Sequence, residues 1–187
     1  IGKKGGAVTT EEGTIIKAKN FEYDKLKNIL IAIGDVEIDD KKEDVIIYSE
    51  KITYFKNKEI ILTQGKSEAI NEGITINANN FEYNKINNTI NASGEVNIKD
   101  NINDYVILAD DATYYKNFEK IVTEGDTQAF IQSKYIINSK DVTYLNNDKI
   151  LSSDHKTKIK DQNSQVYFAE KFKYLINQEV IKGEKFL

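Results

Sequence analysis

The sequence predicts an all-β protein assembled from about six copies of a 30-residue repeat. The stretch at residues 20–40, NFEYDKLKNILIAIGDVEIDD, returns almost intact sixty residues later as NFEYNKINNTINASGEVNIKD. Within each copy apolar side chains alternate with polar ones, which is typical of a strand with one buried face. No longer window shows a helical period, and the chain contains no proline. These observations favour β-strands throughout.

An anchor tyrosine marks each copy and recurs every 29 to 31 residues, at Tyr23, Tyr54, Tyr83, Tyr114, Tyr144 and Tyr174. A glycine follows eleven residues after each of the first four, at Gly34, Gly65, Gly94 and Gly125. Residues 1–13 lack this pattern, and we expect them to be a flexible leader before a single domain over residues 14–187. Because the chain contains no Met, we also expect a processed form or an excised segment.

Each copy is expected to contain a bent strand followed by a tight turn. The phase of the alternation slips between Ala18 and Phe21, and again sixty residues later. The apolar face can stay inward only if a bulge or corner lies at Lys19–Asn20 and at Asn79–Asn80. After each tyrosine comes a polar link of two to five residues rich in Asn and Asp, which tolerate the left-handed positions of tight turns. Consecutive strands are therefore expected to pair as antiparallel hairpins that stack into an elongated, twisted pair of sheets.

Composition excludes several classes of function. All 26 basic residues are lysine, and the formal net charge is −4, so nucleic-acid binding is not expected. The absence of cysteine removes disulfides, thiolate zinc sites and thiol nucleophiles. The longest apolar runs have about five residues, far fewer than the roughly 20 that a membrane-spanning helix needs.

Chemistry-bearing side chains are sparse as well. The lone histidine, His155, is read as a surface residue. The pairs Asp39–Asp40 and Asp110–Asp111 are read as solvated turns, because the spacing of a calcium loop is missing. No catalytic residue, metal site or cofactor is predicted.

The repeat resembles the OstA-like repeat of periplasmic lipopolysaccharide-transport proteins, with its clearest instance in ITINANNFEYNKINNTINASGEVNI at residues 74–98. That family includes a periplasmic bridge protein, the periplasmic domain of an inner-membrane anchor, and the N-terminal periplasmic domain of an outer-membrane assembly β-barrel. The resemblance covers residues 14–187 and weakens in the last two copies, where Asp154 stands near the place of the fifth glycine. The regular repeats are compatible with both the bridge protein and the barrel's N-terminal domain. Of these two members, we favour the barrel's N-terminal domain. The cysteines that pair with the barrel in some of those domains are absent.

The resemblance implies an open, V-shaped antiparallel β-jelly roll whose apolar groove holds the acyl chains of lipopolysaccharide, with the sugars outside. It implies a periplasmic carrier that passes the lipid towards the outer membrane, without enzymatic activity and without a cofactor. Implied partners are the lipid A part of lipopolysaccharide, other β-jelly-roll transport proteins, and an outer-membrane β-barrel to which the domain would be tethered. The edge strands, expected near residues 14–18 and 180–187, would join successive jelly rolls head to tail.

The groove is assigned to the inward side chains of the strands. Each of them is also explained by ordinary sheet packing, but many are small, and an interior that they do not fill would leave an apolar trough. The residues expected to line it are Ile16, Ala18, Phe21, Tyr23, Leu30, Ala32, Val36, Ile38, Ile47, Ile52, Tyr54, Ile76, Ala78, Phe81, Tyr83, Ile90, Ala92, Val96, Ile98, Ile107, Ala112, Tyr114, Ile121, Ile137, Val142 and Tyr144.

The main alternative is a structural or adhesive β-solenoid of the cell surface, which also has β repeats of 20 to 30 residues. Its coils wind in one direction. Antiparallel pairing between residues 20–24 and 29–33 would therefore exclude it. A carbohydrate-active solenoid is less favoured still, because clustered carboxylates are missing.

Overall fold

The computed structural model describes residues 5–185, which form 19 strands and three short 3-10 helices. The strands are β1 (Gly6–Thr9), β2 (Ile15–Ala18), β3 (Asn20–Asp24), β4 (Ile29–Asp40), β5 (Val45–Phe55), β6 (Ile60–Gln64), β7 (Ser67–Asn71), β8 (Ile74–Ala78), β9 (Asn80–Asn84), β10 (Thr89–Asp100), β11 (Tyr105–Tyr115), β12 (Lys120–Ile131), β13 (Tyr135–Lys140), β14 (Thr143–Leu145), β15 (Ile150–Ser153), β16 (Thr157–Asp161), β17 (Val166–Ala169), β18 (Lys171–Leu175) and β19 (Val180–Glu184). The 3-10 helices are Lys56–Lys58, Lys116–Phe118 and Ile176–Gln178.

The strands form two antiparallel sheets that share long bent strands. The first sheet runs in the order β1, β2, the second half of β4, the first half of β5, β7, β8, the second half of β10, the first half of β11, the second half of β12, β13, β16 and β17. The second sheet takes the other halves, in the order β3, β4, β5, β6, β9, β10, β11, β12, β14, β15, β18 and β19. Each copy of the repeat therefore adds two strand segments to each sheet.

The sheets meet along a line of corners, and the predicted bulges lie there. The backbone N–H of Lys19 donates to the carbonyl of Gly34 at 3.0 Å, and that of Asn79 donates to Gly94 at 2.9 Å. The register of β4 and of β10 shifts at these glycines. Gly34 and Gly94 have φ of +84° and +76°, a left-handed conformation that glycine adopts without a Cβ clash. The recurring glycine of the sequence therefore lies where β4 and β10 turn from one sheet into the other.

The predicted hairpins are confirmed. Residues 20–24 pair antiparallel with residues 29–33 across a turn in which Asn28 has φ of +58°. This pairing excludes the β-solenoid alternative, and the architecture is the all-β antiparallel jelly roll that the resemblance implied. Among residues 5–185, no helix is long and apolar enough to cross a membrane.

Three expectations about the ends of the array were wrong. The leader is not unstructured at Gly6–Thr9, which forms β1 and pairs with β2, because Val8 packs against the core. Residues 1–4 lie outside the described part of the chain. Consequently Ile15–Ala18 is not an edge strand, since β1 covers one side of it and β4 the other. The first edge of the second sheet is β3, and its Tyr23, expected inside, is 45% exposed.

Candidate functional site

The candidate site is the space between the two sheets. All the predicted lining residues except Phe21 and Tyr23 belong to one buried apolar cluster. Phe21 packs against this cluster, whereas Tyr23 lies on β3, where the described residues provide no further strand to cover it. In this structure the inner faces contact each other instead of bounding an open trough.

Sequence reasoning missed about a third of the buried cluster. The additional members face the interior like the predicted residues, and all of them lie on strands except Ile176, which lies in a 3-10 helix: Val45, Ile61, Ala69, Ile74, Tyr105, Ala129, Ile131, Leu151, Ile159, Phe172, Tyr174 and Ile176. The anchor tyrosine Tyr174 was recognised as part of the repeat, and its position alone could have placed it in the site.

The interior changes in chemistry from the corners outward. Next to the corners lie small side chains, either alanines such as Ala32 and Ala92 or hydroxyl pairs such as Ser67 with Thr63, whose oxygens are 2.8 Å apart. Isoleucine, valine and phenylalanine fill the middle. The anchor tyrosines follow, with buried rings and with hydroxyls directed to the margin opposite the corners. We call this margin, where the turns of the two sheets face each other, the mouth.

Side chains of both sheets bond across the mouth. The hydroxyl of Tyr83, from the second sheet, donates to Asp40 Oδ2 of the first sheet at 3.2 Å. One copy later, the Tyr114 hydroxyl donates to Asn71 Oδ1 at 2.7 Å. In the next copy the partner residue is Asp100, which accepts from the Tyr105 hydroxyl at 2.7 Å.

The ring of Tyr105 extends this third contact to the second sheet. It packs edge-on against the ring of Tyr144, with centroids 4.6 Å apart. We call the contacts of Tyr83 with Asp40, Tyr114 with Asn71, and Tyr144 with Tyr105 and Asp100 the three latches.

A buried lysine reinforces the first latch. The side chain of Lys85 is 5% exposed, and its ammonium lies 3.6 Å from Asp40, 3.5 Å from Glu59 and 3.2 Å from Glu12. It also donates to Thr14 Oγ1 at 2.8 Å. The expectation of a solvated turn at Asp39–Asp40 was therefore wrong for Asp40, whose carboxylate receives hydrogen bonds from Thr14 and Tyr83 as well.

A second polar group lies beside the first latch. Glu43, in the turn after β4, accepts a hydrogen bond from Asn88 and lies 3.7 Å from the ammonium of Lys116. Asn88 in turn donates to Asn117 Oδ1 at 2.8 Å. Polar side chains thus tie the first-sheet turn at residues 41–44 to two turns of the second sheet.

The first-sheet residues of the latches share a recognisable sequence pattern. Asp40, Asn71 and Asp100 are the last residues of β4, β7 and β10, and they recur with the repeat period. A polar residue that recurs at the inward position of a strand end needs a partner, because a buried polar group without one is costly.

Among residues 5–185, the C-terminal end of the mouth has no latch of this kind. Tyr174 is fully buried, yet its hydroxyl has no hydrogen-bond partner among the described residues. Its ring packs edge-on against Tyr135, with centroids 5.7 Å apart. An ion pair between Lys134 and Glu179, 2.6 Å apart and partly exposed, also lies at this end.

The electrostatics of the latches follow from burial. Desolvation raises the pKa of Tyr83, with a further contribution from the charge of Asp40, and desolvation followed by Glu119 raises the pKa of Tyr114. Burial alone would raise the pKa of Asp100, but hydrogen bonds from Tyr105 and Asn103 outweigh it and hold that pKa below its usual value. The latches are therefore built for neutral tyrosines and, at Asp100, an ionised carboxylate.

His155 plays no part in this site. It lies near the corner, half-exposed, with Nε2 2.9 Å from Asp141 Oδ2. The surface position expected for it is confirmed.

Comparison with known proteins agrees with the fold. LptH, the LptA-homologous periplasmic component of the lipopolysaccharide transport device of Pseudomonas aeruginosa, aligns with a TM-score of 0.50 and 13% identity over 57% of this chain and 78% of that chain. At this identity the likeness shows the fold alone. The TCP10 domain of CPAP from Danio rerio aligns over 86% of this chain and 96% of that one at 10% identity, but its TM-score of 0.16 carries no argument.

No curated relative matches the chain. The model of a protein family does: that of the LptA/(LptD N-terminal domain) LPS transport proteins matches residues 15–144. The match begins at β2 and ends in β14, so it spans well over half of the chain and all three latches. The chain belongs to the LptA/(LptD N-terminal domain) family of LPS transport proteins.

Proposed function

We propose that this protein binds the acyl chains of lipopolysaccharide between its two sheets and passes them across the periplasm towards the outer membrane. The observation that carries the proposal is the continuous apolar inner face, which runs from Ile16 to Ile176 as a single cluster. A lipid with several acyl chains needs such a face, because each buried methylene contributes about 0.8 kcal/mol and only a long surface can bury many of them.

Binding requires the sheets to separate at the mouth. The lining side chains would exchange contacts with each other for contacts with acyl chains. Such an exchange replaces one apolar contact by another, so its net cost is small compared with exposure of the same face to water. The corners, where backbone hydrogen bonds join the sheets, would remain closed. The polar headgroup would stay at the mouth, next to the tyrosine hydroxyls and the turns.

The ends of the sheets support a role in a bridge. Among the described residues, β1 and β3 at one end, and β17 and β19 at the other, each pair with a single neighbour. Unpaired edges can accept a strand from another chain. We therefore propose that other β-jelly-roll transport proteins, or the outer-membrane β-barrel whose N-terminal domain belongs to this family, dock at these edges. The proposed role is that of a carrier and involves no catalysis.

Photo-crosslinking tests the lipid site. A photoreactive phenylalanine analogue at Phe81, which is buried in the cluster, should capture lipopolysaccharide, whereas the same analogue at the neighbouring outward-facing Glu82 should not. Unlabelled lipopolysaccharide should compete with capture at position 81. Equal capture from both positions would show surface adsorption and would overturn the proposal.

A further inference from the structure

The contacts across the mouth recur at a fixed sequence spacing. Tyr83 lies 43 residues after Asp40, and Tyr114 lies 43 residues after Asn71. Tyr144 follows Asp100 by 44 residues. Applied to the next tyrosine, Tyr174, a spacing of 43 leads to Ile131, the last residue of β12. The last copy therefore has an aliphatic side chain where the three before it have a carboxylate or an amide.

This difference between the copies explains why the hydroxyl of Tyr174 is unpaired. The side chain of Ile131 is fully buried and carries no hydrogen-bond acceptor. The Tyr174 hydroxyl is thus enclosed without the hydrogen bond that water would give it, and its enclosure disfavours the closed state of this end. The nearby pair of Lys134 and Glu179 compensates little, since partly exposed ion pairs contribute weakly.

The opposite end has the reverse balance. Lys85 and Asp40 are both almost fully buried in the closed state and satisfy each other together with Tyr83, Thr14 and Glu59. Separating the sheets there would break several hydrogen bonds and ion contacts at once. Each end also buries an amide oxygen without a partner among the described residues, Asn88 Oδ1 beside the first latch and Gln132 Oε1 next to Ile131, so the ends differ in the Lys85 network and in the Tyr174 hydroxyl. Closure is therefore favoured by the Lys85 network at the N-terminal end and opposed by the unpaired Tyr174 hydroxyl at the C-terminal end.

We propose that the mouth opens from its C-terminal end, at Ile131 and Tyr174, and that the latches release one after another towards Lys85. Resting on the proposed function, this inference makes the region between β12, β13 and β18 the place where acyl chains first enter or last leave the groove. The N-terminal latch is then the fixed end of the opening motion.

Paired spin labels can follow both ends, because the chain contains no cysteine of its own. One pair joins exposed turn positions beside the first latch, Lys42→Cys with Asn87→Cys. The other joins the corresponding positions beside Tyr174, Ser133→Cys with Asn177→Cys. Without lipid, the second pair should show the broader distance distribution. On titration with purified lipopolysaccharide, it should shift to longer distances at lower lipid concentration than the first. Movement of the first pair before the second, or of both together, would overturn the proposal.

The same chemical change at the two ends provides a matched control. Tyr174→Phe removes the unpaired hydroxyl and should narrow the distance distribution of the second label pair in the lipid-free protein. Amide hydrogen exchange in β18 should slow about five-fold. Tyr83→Phe removes a hydrogen-bonded hydroxyl, and it should broaden the distance distribution of the first label pair and speed amide hydrogen exchange in β9. Both changes leave an aromatic ring in place, so the variants should fold. Equal signs of the two effects would contradict the proposed order of opening.

These outcomes separate this inference from the proposed function. The lipid-free measurements test the order of opening alone. If they come out as expected but lipopolysaccharide moves neither pair and is not captured at Phe81, the lipid-binding role fails and the order of opening stands. If lipopolysaccharide binds but Tyr174→Phe and Tyr83→Phe do not differ in sign, the order of opening fails and the lipid-binding role stands.

Discussion

The two ends of the mouth use the same tyrosine and differ in what its hydroxyl meets. Tyr83 reaches a carboxylate that is shared with Lys85, whereas Tyr174 reaches no partner in the described part of the chain. The apolar packing is equivalent, since both rings are fully buried. The comparison shows that a β-repeat can retain its core while losing polar complementarity. The side chain of Ile131 occupies the repeat position of Asp40 and Asn71 but cannot accept a hydrogen bond.

The largest effect on the free energy of unfolding is expected from Lys85→Met, which removes the buried cation beside the first latch. The variant would leave Asp40 buried beside Glu59 without a compensating cation. Loss of one member of a buried ion pair costs about 3–5 kcal/mol, and we expect the free energy of unfolding to fall by the upper part of that range. Urea denaturation followed by circular dichroism measures it.

Lys17→Met is the control for Lys85→Met. Lys17 forms a 2.7 Å pair with Glu37 on the outer face of the first sheet, where both side chains are partly exposed. Removal of such an exposed pair should leave the unfolding free energy nearly unchanged. A loss of stability as large as that of Lys85→Met would mean that the buried contacts of Lys85 stabilise the fold no more than an exposed ion pair does.

A smaller effect is expected at the corners. Gly94→Ala places a residue with a Cβ at φ of +76°, and the added Cβ would lie 2.9 Å from the side-chain amide nitrogen of Asn79. Gly125→Ala has the same backbone problem at φ of +77° but meets nothing within 4 Å. Because both residues must keep a left-handed conformation, the free energy of unfolding of each variant should fall by about 1–2 kcal/mol. The decrease should be greater for Gly94→Ala, where the added Cβ also meets Asn79. Thermal unfolding of the two variants compares them, and a greater loss at Gly125 would contradict the steric argument.

The tyrosine pair gives a comparison of opposite signs in global stability. Tyr83→Phe removes a hydrogen bond to a carboxylate and should cost about 1–2 kcal/mol. Tyr174→Phe removes a buried hydroxyl without a partner and should leave the unfolding free energy unchanged or raise it. Chemical denaturation of both variants in one buffer suffices. A clear destabilisation by Tyr174→Phe would reveal a partner of that hydroxyl.

The smallest expected effect concerns pH at the third latch. Because the pKa of Asp100 is lowered in the folded state, its ionised form contributes stability at pH values above the unfolded pKa of about 4. That contribution is lost as the pH falls through the folded pKa. The difference in unfolding free energy between the wild type and Asp100→Asn should therefore be constant from pH 7 to about 5 and shrink below about 4. A difference that grows on acidification would contradict the sign of the shift.

The sequence was sufficient for the features that depend on local order. Alternation and the recurring glycine predicted the strands, the bends at Lys19–Asn20 and Asn79–Asn80, and most of the inward face. Closure of the mouth was not predicted, because it depends on which strand ends of two different sheets meet. Asp40 lies beside a turn in the sequence, and only the fold brings Tyr83 and Lys85 to it. Tyr23 was misplaced for a related reason, since a repeat pattern does not say which copy forms the edge.

The two strand segments that each copy adds to each sheet also set a scale for cargo. Neighbouring strands lie about 4.8 Å apart, so one copy lengthens the mouth by about 10 Å. Gain or loss of a copy would change the length of the groove in steps of this size without altering its cross-section. If the proposed lipid binding holds, the number of copies would match the length of the protein to the size of the lipid that it binds.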